Sequence, residues 1–160
     1  MANHLRTGVG TTLATALTAT AGSLATEPDS AWYRGIRKPE WQPPSLAFPI
    51  VWTALYAGIA YASASTIVAS REDGDDDEAL RFKRALALNL GLNAGWSFTF
   101  FRAHNPPLAA AVAAALALSS ADLKRRAWKV RRKNGLLLAP YAAWTSFATV
   151  LSAEIARLNA

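Results

Sequence analysis

At 160 residues the chain has room for one domain, and 17 Lys and Arg against 11 Asp and Glu leave it at +6. None of those charges falls in 8–26, 45–70, 85–101, 103–121 or 134–153, stretches suited to a hydrocarbon core of ~30 Å, which excludes a nucleic-acid-binding domain and a disordered chain. With no cysteine, disulfides, thiolate-bound metals and thiol nucleophiles are excluded too, and two His residues make a poor metal centre. The sequence therefore predicts an all-α, polytopic membrane protein. Residues 1–160 form one bundle of five transmembrane helices at those stretches, with 27–44 as a lid.

Five spans put the two ends of the chain on opposite sides. Arg6, the four basic residues of 71–84 and the seven of 124–133 collect on one side. Arg34, Arg37, Lys38, Arg102 and Arg157 collect on the other. This bias places the N-terminus in the cytoplasm and the first loop and C-terminus outside. The first span is Thr-rich, and Arg6 with the small residues Ala21–Ala25 also suits a cleaved signal peptide. A retained helix is favoured, because the charge bias works with that span counted.

The first loop is long for a helix connection. It carries Trp32, Tyr33 and Trp41, with Pro39 between the two Trp residues and Pro43 and Pro44 after them, and so is expected to fold over the open end of the bundle. Ser45 is the expected cap of the second span, on which Phe48, Trp52 and Tyr56 recur every four residues. The acidic run 72–78 lacks the order of a calcium loop and reads as a solvated connector.

On the third span Asn89, Asn93, Trp96 and Phe100 share a sector of about 60°. Two amides facing lipid are costly, so that face belongs against protein or ligand. Ala87, Gly91 and Gly95 lie on the opposite side at the small-xxx-small spacing of a helix–helix contact, which predicts a homodimer. Asn105 before Pro106-Pro107 is a helix start, and the basic run 124–133 reads as a juxtamembrane stop signal with Trp128 at the interface. Asn134-Gly135 opens the fifth span, where Pro140 is expected to kink the helix and Tyr141, Trp144, Ala148 and Leu151 share a face.

Several of these residues form an ordered pattern. It runs Trp32-Tyr33, Lys38-Pro39-x-Trp41-x-Pro43-Pro44, Phe48 and Val51-Trp52-Thr53-x-Leu55-Tyr56. It continues with Asn89-x-x-x-Asn93-x-x-Trp96, Phe100-Phe101, Pro140-Tyr141-x-x-Trp144-x-x-Phe147-Ala148-Thr149 and Leu158-Asn159. The pattern resembles the TspO/MBR family of tryptophan-rich sensory and translocator proteins across nearly the whole chain.

The resemblance implies a membrane bundle that binds tetrapyrroles such as protoporphyrin and haem, with no obligatory cofactor and no metal. Its pocket would lie between bundle and lid, lined by Trp32, Trp41, Phe48, Trp52, Tyr56, Asn89, Asn93, Trp96, Phe100, Tyr141, Trp144 and Ala148. Arg34, Arg37 and Lys38 stand at the mouth, where propionates would pair with them. The leading expectation is a sensor or regulator of porphyrin handling. The alternatives are light- and oxygen-dependent porphyrin degradation, with Trp32 and Trp144 beside the ring, and a carrier of hydrophobic small molecules. Sterol-binding members carry a Tyr near the end of the fifth helix; Leu151–Arg157 has none, which counts against a sterol.

Overall fold

A computed structural model describes Ala16 and residues 30–160. Apart from Ala16, the expected first span, 8–26, and the start of the first loop lie outside the described residues. Those described form helices and connections, with no strand among them. They comprise α1 (Ala31–Gly35), α2 (Ala47–Glu72), α3 (Asp76–Ser97), a π-turn (Phe98–Arg102), α4 (Pro106–Val130) and α5 (Arg132–Leu158). Three of these, α2, α4 and α5, are long and apolar enough to cross a membrane. In α3 the apolar run is diluted by Asn89, Asn93 and two glycines and preceded by two charged turns. Leu46, Ile50, Tyr61, Leu88, Phe98, Leu118 and Val150 turn large apolar side chains outward, as a lipid-facing surface requires.

Helix starts differ from expectation at Ser45 and in the acidic run, and α5 begins at Arg132, ahead of the expected Asn134-Gly135. Ser45 does not cap α2: the cap position is Leu46, without a side-chain bond, and a turn from Pro44 O to Ala47 N (2.9 Å) starts the helix. The acidic run is only partly a connector. Asp75 accepts from Glu78 N (2.8 Å), and Asp76, Asp77 and Glu78 form the first turn of α3, where negative charge meets the positive end of the helix dipole. Asn105 does cap α4, through Leu108 N (3.1 Å), with proline in the first turn.

The basic run is mostly helix. Asp122 holds both Arg125 and Arg126 (2.6 Å each), and Asp73 takes Arg131 through two bonds (2.7 and 2.9 Å). That bonding holds the Asp73 carboxyl below its ordinary value. Trp128, partly exposed, lies under the guanidinium of Arg132. Pro140 sits inside α5 and leaves the Leu136 carbonyl without its helical donor.

One extended residue, Arg131, separates α4 from α5, so the two helices fold back tightly. A Cβ on Gly135 would lie 2.6 Å from Trp128 Cβ and 2.8 Å from its Cα. Backbone cannot yield as a flexible side chain can, so Gly135→Ala is expected to cost about 1–3 kcal/mol. A thermal melt in detergent checks this, with Gly58→Ala, whose nearest atom lies at 3.7 Å, as the tolerant comparison.

Two apolar clusters result. Ile59, Ile67, Phe82, Leu86, Leu123 and Leu138 pack the half of the bundle away from the lid. Phe100, Phe101, Ala109, Leu151 and Ile155 pack the lid end, with Trp32, Tyr33, Ile36, Phe48, Trp96 and Phe147 against them. The π-turn matters here. It carries the consecutive Phe100 and Phe101, and both are buried.

Candidate functional site

The lid is built from its own sequence. Ser30 Oγ accepts from Tyr33 N (3.2 Å) and starts α1, placing Trp32 and Tyr33 on the bundle. Trp32 meets Phe100 edge-on (5.5 Å between centroids) and stacks on His104 (4.4 Å); Tyr33 lies against Phe101 (5.4 Å). Gln42 Nε2 donates to the Tyr33 hydroxyl (3.2 Å), and burial pushes that phenol above its ordinary pKa. Trp41 keeps about half its surface (48% exposed) yet sets its edge on Phe147 (5.9 Å). The aromatic loop therefore covers the end of the bundle.

Beneath it the rings of three helices converge. Trp52 of α2 is central, with Tyr56 at 5.5 Å, Trp96 of α3 at 6.0 Å, and Tyr141 and Trp144 of α5 both at 6.4 Å. Phe48 meets Trp144 (5.9 Å), Trp144 meets Phe147 (5.2 Å), and Trp96 leads on to Phe100 (6.4 Å). Ala148 is buried on the same helix as Trp144. Such a set of flat, polarisable walls suits a flat apolar guest.

The two asparagines form a floor. Tyr56 donates to Asn93 Oδ1 (2.7 Å), Asn93 Nδ2 donates to the Tyr141 oxygen (3.3 Å), and Tyr141 donates to Asn89 Oδ1 (2.7 Å). Asn89 Nδ2 in turn donates to Ser120 (3.0 Å) and Ser119 (3.2 Å) of α4. Both amides are buried and bonded to protein, so the face that the helical spacing singled out is spent in tying α2, α3, α4 and α5 together. Trp96 Nε1 likewise donates to Ser152 (3.1 Å). Trp144 Nε1 is different: it is a buried donor with no acceptor in the protein. A guest carrying an acceptor would satisfy it.

Of the three cations expected at the mouth, Arg34 and Arg37 are exposed. Lys38 turns inward, donating to the carbonyls of Tyr33 and Ile36 (3.3 Å to the latter) and lying over the Tyr33 ring. Its charge is already engaged in closing α1. On the back of α3, Ala87 and Gly91 face outward and a Cβ on Gly91 would meet nothing, whereas Gly95 lies 3.9 Å from Val112 of α4.

The expected lining set left out Tyr33, Phe101, His104, Phe147 and Ser152, although the lid reading named Tyr33 and the ordered pattern named Phe101 and Phe147. The Ser119-Ser120 pair inside an otherwise apolar span was the available signal for a polar partner of Asn89. Among the described residues no group of His, Asp and Glu is placed to hold a metal ion.

Relatives match the chain over most of its length. The chain is 35% identical to the tryptophan-rich protein TspO of Chlorobaculum tepidum over 87% of each chain. It is 35% identical to the tryptophan-rich sensory protein of Cereibacter sphaeroides over 88% of this chain and 84% of that one. With the human translocator protein it shares 32% identity over 94% of this chain and 89% of the relative. A description of the TspO/MBR family matches residues 10–158, and the chain is therefore a member of the TspO/MBR family of membrane proteins.

Proposed function

We propose that the protein binds tetrapyrroles of the protoporphyrin and haem type, and similar hydrophobic small molecules, as a sensor or regulator of porphyrin handling. The observation that carries this is the aromatic box around Trp52 with the orphaned Trp144 Nε1 in its wall. A porphyrin offers a plate for Trp52, Trp96, Trp144 and Tyr56, and ring nitrogens or carboxylates for the free indole N–H. Trp32, Trp41, Phe48 and Phe100 close over it, with Ala148 one turn along α5 from Trp144. Asn89 and Asn93 act through Tyr56 and Tyr141, whose positions they hold. Arg34 and Arg37 meet the propionates. Saturable quenching of tryptophan fluorescence by protoporphyrin is the expected result; unchanged fluorescence with every porphyrin tried overturns the reading.

In the membrane this reading takes five spans, 8–26 supplying the first, with the N-terminus cytoplasmic and the lid outside. The uneven distribution of Lys and Arg supports that orientation. The protein works as a homodimer through the outward face of α3, where Ala87 and Gly91 allow close backbone approach. Ala87→Leu with Gly91→Leu is expected to give monomers by light scattering in mild detergent; Gly95 is left alone because it already faces Val112. A double variant that stays dimeric places the contact elsewhere.

A further inference from the structure

Asn159, the residue that caps α5, makes a pair of bonds of a kind found between neighbouring strands. Its Oδ1 accepts from the Arg37 backbone N–H (2.8 Å), and its Nδ2 donates to the Arg37 carbonyl (2.8 Å). The same Nδ2 also donates to Ile155 O (2.7 Å), which fixes the amide on the last turn of α5. Both backbone polar groups of one lid residue are thus satisfied by one side chain, 122 positions away in sequence.

The position of Arg37 gives that bonding its consequence. It lies between Trp32 and Tyr33 on one side and Trp41 on the other, so it sits midway along the lid. The rings that hold the lid down, Trp32 on Phe100 and Trp41 on Phe147, restrain it by non-directional packing. Ser30, Lys38 and Gln42 spend their side-chain bonds within the lid itself. The Asn159 amide is directional and reaches across to the bundle. It anchors the lid to α5, the helix that carries Tyr141, Trp144 and Ala148.

We propose that Asn159 is the positioning residue that latches the lid over the aromatic box and sets how long a guest stays there. The proposal rests on the box being the binding site. The latch uses the backbone of Arg37, so the Arg37 guanidinium takes no part in it. Opening the lid requires both bonds to break together, so the latch slows escape of a bound plate more than it slows capture.

The test uses the full chain in detergent with Asn159→Ala, and Arg157→Ala as the neighbouring control that breaks only the surface pair with Glu154. Without ligand, backbone amide exchange of 30–46 is expected to quicken about tenfold in Asn159→Ala, the loss of two net hydrogen bonds. Exchange in α3 and α4 stays at the wild-type rate, as does all exchange in Arg157→Ala. With protoporphyrin bound, dissociation from Asn159→Ala is expected to quicken by a similar factor with little change in association. Lid exchange equal to wild type, or an unchanged dissociation rate, overturns the latch. Faster lid exchange in a chain whose wild type never binds protoporphyrin keeps the contact and overturns the binding site instead.

Discussion

Tyr141→Phe is expected to destabilise the bundle by about 2–3 kcal/mol, although it removes a single oxygen. That oxygen donates to Asn89 and accepts from Asn93, and both amides are buried. Removing it leaves an Asn89 acceptor and an Asn93 donor without partners inside a dry core, where an unpaired polar group costs more than the bond itself contributed. Asn93 keeps Tyr56, and Asn89 keeps the serines of α4, so the helices stay assembled while their junction weakens. Ser146→Ala is the matched control. Its exposed hydroxyl bonds only to Ala142 O of its own helix (2.8 Å), so its loss is expected to be small. Unfolding in mixed detergent separates the two variants; equal midpoints would mean that the four-helix junction contributes nothing.

The second large effect concerns binding. Trp52 touches Tyr56, Trp96, Tyr141 and Trp144, so Trp52→Ala removes the ring common to every wall of the box. Loss of one stacking wall is expected to cost about 1–3 kcal/mol, a protoporphyrin dissociation constant raised about fivefold to 150-fold. Trp128→Ala removes a ring of equal size that lies against Gly135 and Arg132, far along α4 from the lid, and should leave affinity unchanged. Fluorescence titration of both variants distinguishes them. Matching affinities would show that the box is not the site.

Much of this arrangement was legible in the chain because membrane burial and charge are strongly coupled. Gaps in charge overlap α2, α4 and α5, although α4 runs nine residues past the end of its gap, and Asn105-Pro106 marked a helix start that the Leu108 bond bears out. The same signal misplaced the start of α3. A charge gap marks where hydrocarbon begins rather than where helix begins, and Asp75 caps α3 well ahead of residue 85. Helical spacing found the Asn89–Asn93 face, yet it carried no information about partners on other helices. Tyr141 and Ser120 had to be brought there by the fold before the amides could be seen as satisfied. Lys38 shows the same limit for charge: a cation at the mouth of a pocket can equally be spent on carbonyls of its own loop.

The most direct measurement is amide exchange of the wild-type protein with and without protoporphyrin. Protection should appear in 30–46, in the lid-end turns of α2 and α5 around Trp52 and Trp144, and around Trp96 and Phe100. It should be absent from the turn at Asp73 and from the basic end of α4. Protection confined to that basic end, with none in the lid, would contradict a tetrapyrrole site between the lid and the bundle.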